Sequence, residues 1–199
     1  MQIPTTRVVF IRHGPTAWNA EKRIQGRVDT SLSAEGRVFV ATWRIPDEFA
    51  GFKWYSSNKK RAIETARIMG LDPIAEPLLA EMNWGEWEGR IIGELRAEYG
   101  EDMAANERRG LDFRPPGGES PRDVQKRVAG WIKATAQGGQ PLGAVVHAGV
   151  IRTIYCLASG WDMTGKPPVK LLDGTAHLFD VDTGGMPSVS RLNIPLTGA

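Results

Sequence analysis

Two histidines, His13 and His147, stand at the ends of short β-branched and apolar runs. One follows Arg7 to Ile11 (RVVFI), the other Leu142 to Val146 (LGAVV), and each precedes a glycine-containing turn. Imidazole is the side chain that changes charge near neutrality and serves as nucleophile or proton carrier. In open α/β sheets, ligands bind at the carboxyl ends of strands. Histidines at equivalent ends of two strands can therefore face one pocket although they are far apart in the chain. Either one alone reads as a satisfied structural residue; together with two arginines they do not. Arg12 directly follows a buried run, where an unpaired charge is expensive, so it calls for an anion. Arg61 falls on the first turn of a helix that leaves the FKWYSS segment. Its planar fork of donors matches phosphate oxygens two at a time.

The elements that must position these groups follow from periodicity and punctuation. Arg7 to Ile11, Phe52 to Ser56 and Leu142 to Val146 read as buried strands. Ser33 reads as the N-cap of a helix over Ala34 to Arg44, with Val38, Ala41 and Ile45 near helical spacing. Ser57 reads as the cap of a helix from about Asn58 to Met69, stopped by Gly70, and Ile74 to Leu79 as a short edge strand containing Pro77. The stretch from Glu81 to Gly118 is rich in Trp, Gly and charge, with one predicted helix over Ile91 to Tyr99. Trp84 and Trp87 there read as loop anchors. Ser120-Pro121-Arg122-Asp123 opens a helix to about Thr135 with a capping box, and Gly149 to Ala158 follows as another. Thr175 to Val181, carrying a structural His177, and Val189 to Leu192 finish as strands. Strands alternating with helices predict a three-layer αβα sandwich: a mostly parallel central sheet with helices on both faces. The expectation is one domain over residues 1–199 with a cap-like insertion at about 81–118.

Composition narrows the classes. The chain has 199 residues, 41% hydrophobic and 24% charged, with a net charge of +2. That balance excludes the bulk basic surface of a generic nucleic-acid binder and an acidic tail. No window approaches the roughly 18 apolar residues of a membrane span. The start, Met-Gln-Ile-Pro-Thr-Thr-Arg, lacks a signal-peptide pattern, so a cytoplasmic location is expected. Cys156, the one cysteine, excludes an intrachain disulfide and a thiolate zinc cluster.

Arg12-His13-Gly14-Pro15-Thr16, followed by Asn19, Arg23, Gln25-Gly26 and Asp29, resembles the opening motif of the histidine phosphatase superfamily, the phosphoglycerate mutase-like enzymes. Further blocks come in that family's order. They are Ser56-Ser57 with Arg61-Ala62 and Thr65-Ala66, then Glu81 with Trp84 to Gly89, Pro116 to Ser120, and Val146 to Arg152. The resemblance implies that His13 is the nucleophile that becomes a phosphohistidine. It implies that Arg12, Arg61 and His147 hold the phosphoryl oxygens, with Asn19 and the Thr16 hydroxyl as further contacts. Glu81 matches the proton donor, with Glu86 and Glu88 as rivals. Arg23, Gln25 and Gly26 lie in the loop that borders the substrate. Ala148, in the phosphate-binding set, stands where Gly is common, and Pro15 where many members carry Glu or Gln.

Phosphoryl transfer spreads charge over three oxygens, so catalysis is mostly positioning and charge stabilisation. Two arginines and two histidines can supply this without a metal, and no cofactor is expected. The second nitrogen of His13 should donate to a backbone carbonyl, fixing the tautomer. Glu81 would protonate the leaving alkoxide, help worth ~10²–10⁴-fold. The leading reading is a phosphoric monoester hydrolase of histidine acid phosphatase type, acting on a small phosphorylated metabolite. A phosphoglycerate mutase is the alternative within the fold. It is disfavoured because no long basic insert lies between Glu88 and Pro115. A metal-dependent hydrolase is disfavoured because the three histidines show no metal-binding spacing. A phospho-ligand binding module without turnover is the third class. Expected partners are a small-molecule phosphate ester and neither nucleic acid nor membrane; a homodimer is allowed for.

Overall fold

In β1 (Thr6–Arg12), Val8, Val9, Phe10 and Ile11 are all fully buried, because both faces of the strand are covered. Val8 and Phe10 enter one core, Val9 and Ile11 the other, as the period of two dictates. The structure, a computed structural model, describes residues 5–197; residues 1–4, part of the N-terminal stretch read above, lie outside the described residues. After β1 come α1 (Ala17–Ala20), α2 (Ala34–Val40), β2 (Lys53–Ser57), α3 (Lys60–Ile68) and β3 (Ile74–Glu76). Then follow α4 (Ile92–Glu107), α5 (Pro121–Thr135), β4 (Leu142–Val146), α6 (Ala148–Ser159), β5 (Thr175–Val181) and β6 (Pro187–Pro195). The six-stranded sheet has the order β3-β2-β4-β1-β5-β6. The pairs β3–β2, β2–β4 and β4–β1 are parallel; β1–β5 and β5–β6 are antiparallel.

Helices cover both faces, giving the expected three layers. Val40 of α2 and Ala62 and Ala66 of α3 pack on Val9, Ile11 and Val145. Leu95 of α4, Val124 and Val128 of α5 and Ile151 and Ile154 of α6 pack on Val8, Phe10 and Val146. The capping box of α5 is as read, with the Ser120 hydroxyl accepting from Asp123 N and the Asp123 carboxylate accepting from Ser120 N.

Several boundaries differ from the sequence reading, β6 among them, which runs from Pro187 to Pro195 and not only from Val189 to Leu192. Helix α2 is capped by Ser33 as expected but stops at Val40. The chain leaves it so that Trp43 can bury and bridge to Thr197, and Val38 is exposed. Helix α3 begins at Lys60 without a side-chain cap of its own. Asp29 Oδ1 accepts from Lys60 N instead (2.8 Å). The edge strand ends at Glu76 because Pro77 turns the chain into a 3-10 turn. Helix α4 runs on past Tyr99 through a kink at Gly100 (φ 50°), a conformation open to glycine. Trp84 and Trp87 both pack on Phe113, at ring separations of 5.6 and 5.9 Å.

Candidate active site

Three adjacent parallel strands, β2, β4 and β1, end side by side. Ser57 closes β2, His147 follows β4 and His13 follows β1. His13 N donates to Val146 O across the last pair (2.9 Å). The helices entered from β1 and β2 pack on one face and α6, entered from β4, on the other. The crevice between β4 and β1 is thus a switch point of the kind where open sheets bind ligands. It brings the rings of His13 and His147 to 5.1 Å between centroids, edge to face.

His13 Nδ1 lies 2.7 Å from Gly14 O. A carbonyl can only accept, so Nδ1 carries the hydrogen and Nε2 of the neutral ring keeps its lone pair. Burial, then the charges of Arg61 and Arg12, hold His13 well below its ordinary value of 6.5. Gly14 N donates to Thr65 Oγ1 (2.9 Å), and a methyl group at Gly14 would lie 2.2 Å from Val40 Cγ2, so the turn after the histidine must be glycine. His147 is fully buried and its Nε2 lies 2.8 Å from Ser57 Oγ. Ser57 Oγ also accepts from Lys59 N (3.3 Å), which leaves its own hydrogen for His147 Nε2. Nδ1 of His147 is then the protonated nitrogen, and it is buried with no partner. Burial and Arg61 push His147 well below 6.5.

Arg61 is fully buried. Its Nη1 donates to Val28 O and its Nη2 to Gly26 O, each at 2.9 Å, while Nε is buried and unpartnered. An unsatisfied buried donor costs ~1–3 kcal/mol, more when charged. An anion bonded at Nε would remove that cost. Arg12 Nη1 meets Asp173 Oδ1 at 2.5 Å, a carboxylate that is 73% exposed. The anion that meets Arg12 is this rim residue.

Of the three carboxylates in the acid-bearing segment, Glu81 is the one that meets the start of α6, just past His147. Its Oε2 accepts from Gly149 N (3.2 Å) on the first turn of α6, two residues past His147, and Oε1 from Met82 N (2.8 Å). Glu88 instead accepts from Arg27 N, Val28 N and Trp84 N, and Glu86 is exposed. A methyl at Gly149 would fall 2.3 Å from Glu81 Oε1. Gly149→Ala is expected to displace this carboxylate and lower kcat by about 10–100-fold. Denaturation should leave stability within about 1 kcal/mol of the parent, since alanine favours the helix. Unchanged kcat would place the carboxylate's work elsewhere.

The remaining predicted residues take varied places. Asn19 and Thr16 close a capping box on α1: Asn19 Oδ1 accepts from Thr16 N and from the Thr16 hydroxyl. Asn19 Nδ2 is left without a partner among the described residues. Gly26 acts through its carbonyl on Arg61, and Gln25 is buried, accepting from the Thr30 hydroxyl (2.6 Å). Arg23 is exposed, paired with Glu21 and donating to Gly89 O. Ala148 is the first residue of α6. Sequence reasoning missed the link of Ser57 to His147 and the pairing of Asp173 with Arg12. The strand-end argument that found the histidines extends to Ser57; no local signal marks Asp173. Among the described residues, no group of three or more His, Cys, Asp or Glu is placed to hold a metal ion, and no helix is long and apolar enough to cross a membrane.

His177 is also buried; it accepts from Asn193 N (3.3 Å), and burial pushes it down to about 4. In the unfolded chain all three imidazoles return to ~6.5, so below that pH the unfolded state binds more protons than the folded one. Stability is therefore expected to be flat above pH ~7 and to fall as pH drops from ~6.5 toward ~4. Urea midpoints measured across this range check it, and a rise on acidification would contradict it.

Comparison with known proteins gives a consistent result. The family model for the histidine phosphatase superfamily (branch 1) matches residues 8–195. Phosphoglycerate mutase-like protein 4 of Arabidopsis thaliana is 33% identical over 189 residues, 89% of this chain and 80% of that one. Phosphoserine phosphatase 1 of Hydrogenobacter thermophilus is 29% identical over 168 residues, 79% of this chain and 78% of its own. The solved structure of Bacillus stearothermophilus YhfR aligns with a TM-score of 0.81 at 26% identity, covering 95% of this chain and 97% of that one.

Proposed function

Since the chain belongs to the histidine phosphatase superfamily (branch 1), a family of phosphoryl-handling enzymes, we propose that it hydrolyses a small phosphorylated metabolite through a phosphohistidine, without a metal. The observation that carries this reading is the His13 ring, neutral, with Nδ1 held by Gly14 O and Nε2 free to attack. Nε2 forms a bond to phosphorus as the ester P–O bond breaks. Arg61 Nε–H, Arg12 and the Nδ1–H of His147 meet the developing charge on the phosphoryl oxygens. Glu81 gives its proton to the leaving alkoxide. A water then attacks the phosphohistidine, Glu81 takes that water's proton, and orthophosphate leaves with His13 restored. Binding replaces Asp173 on Arg12 or adds to it, because arginine has five donors.

Hydrolysis is favoured over mutase-type transfer by the segment over 81–118, which we read as a cap on the site. A mutase must hold its substrate after transfer, which needs free basic groups. Arg90, Arg96, Arg108 and Arg114 are instead paired with Glu98, Glu107, Glu101 and Asp123, which leaves Arg109, bonded to Asn106, as the one arginine of the segment without an ion pair among the described residues. The test is a panel of phosphate esters at neutral pH with a chelator present, scoring released orthophosphate against interconversion of the two phosphoglycerate isomers. Orthophosphate release that survives the chelator is expected. Isomer interconversion outrunning release would replace this reading with the mutase, and no turnover of any ester would leave a binding module.

A further inference from the structure

Glu119 belongs to the Pro116–Ser120 block, and the chemistry above gives it no task. Its carboxylate, 23% exposed, accepts from Asn83 N (2.9 Å), Arg127 Nε (3.0 Å) and Nη2 (3.2 Å), and Arg27 Nη2 (3.1 Å). Its backbone N donates back to Asn83 O (2.8 Å). Arg127, also largely buried, continues to the carbonyls of Leu78 and Glu81. The main chain that presents Glu81 is thus gripped on both sides of that residue. A methyl at Gly118 would lie 2.5 Å from Asn83 O, so the backbone of this block approaches the acid-bearing segment as closely as glycine permits.

Arg27 carries the connection to the other half of the site. It sits between Gly26 and Val28, the two residues whose carbonyls hold Arg61. Its own carbonyl accepts from Lys59 Nζ (2.5 Å) and its N–H is bound by Glu88. Burial pushes the Glu119 carboxyl up, but its bonds from Arg127 and Asn83 N outweigh that and hold it below its ordinary value. A partly buried charge network of this kind is weak evidence for stability, since desolvation offsets much of the attraction. Its worth lies in fixed geometry.

We propose that Glu119 is a positioning residue that sets the proton donor Glu81 against the phosphoryl-holding Arg61, by joining their two backbone segments through Arg127 and Arg27. The inference rests on the reading of Glu81 as proton donor, and its signature is dependence on the leaving group. Nitrophenolate leaves with little help from an acid, whereas an alkoxide needs the proton. Glu119→Gln is expected to lose ~10-fold in kcat on an unactivated alkyl phosphate and under ~3-fold on nitrophenyl phosphate, a fraction of the general-acid effect. Glu119→Asp, which keeps the charge, should recover part of the alkyl loss. Glu81→Gln should show the same asymmetry, larger. Should Glu119→Gln not accumulate as folded protein, Arg127→Lys, which keeps the charge but not the fork, is read on the same two substrates and should show the asymmetry. Equal losses on both substrates, or no loss on the alkyl ester, alongside a steep Glu81→Gln, overturn the positioning role alone. A Glu81→Gln variant without asymmetry overturns the proton-donor reading and this inference with it.

Discussion

Replacing His13 by alanine is expected to lower kcat for every phosphate ester by on the order of 10⁴-fold or more, because the covalent route disappears and only binding and charge stabilisation remain. The fold should survive. His13 sits after β1, not inside it, and the strand's anchoring comes from Val8 to Ile11 and from pairing with β4 and β5. The carbonyl of Gly14 loses one partner, but the turn keeps Gly14 N on Thr65. Circular dichroism and a denaturation curve alongside the rate separate lost chemistry from lost structure. Activity within 10-fold of the parent in a folded variant would assign the nucleophile to another group.

Arg61→Lys is the second large effect, and it separates charge from geometry. Lysine keeps the positive charge but has one nitrogen in place of a rigid fork. Arg61 holds Gly26 O and Val28 O with its two terminal nitrogens while Nε stays open. One ammonium cannot grip both carbonyls and still meet a phosphoryl oxygen. A carbonyl left alone in this buried place costs ~1–3 kcal/mol in stability. Loss of a pre-set donor on the developing charge costs ~10²–10³-fold in kcat/KM. A folded Arg61→Lys variant with parental kcat/KM would show that charge alone suffices and that the buried fork is structural. The two effects should arrive together, because the same side chain holds the loop and the anion.

The parts of this arrangement that sequence alone could place are those fixed by local pattern. A buried strand must end, and what stands at its end faces the crevice; that rule alone brings His13 and His147 together and puts Arg12 and Arg61 nearby. It also orders the layers, because apolar residues on both faces of β1 demand helices on both sides. Ser57 shows the opposite case. A serine just before a helix reads as a cap, yet its hydroxyl also bonds to His147, which is remote in sequence, and Asp29 shares the helix start with it. Local pattern could not see either partner. The choice among Glu81, Glu86 and Glu88 is of the same kind. It turns on which carboxylate meets Gly149 at the start of α6 and which is captured by the backbone of Arg27 and Val28. The early end of α2 follows from Trp43, whose burial overrides the helical spacing that continues past it.

Covalent catalysis at this site stands on one bond, between His13 Nε2 and phosphorus. The direct measurement is rapid-quench trapping during turnover of a phosphorus-labelled ester, with the labelled peptide identified. It predicts label that is acid-labile and alkali-stable on the peptide bearing His13, chased into orthophosphate by unlabelled substrate and absent from His13→Ala. Label on a different residue, or rapid orthophosphate release with no protein-bound label at any time, would contradict it.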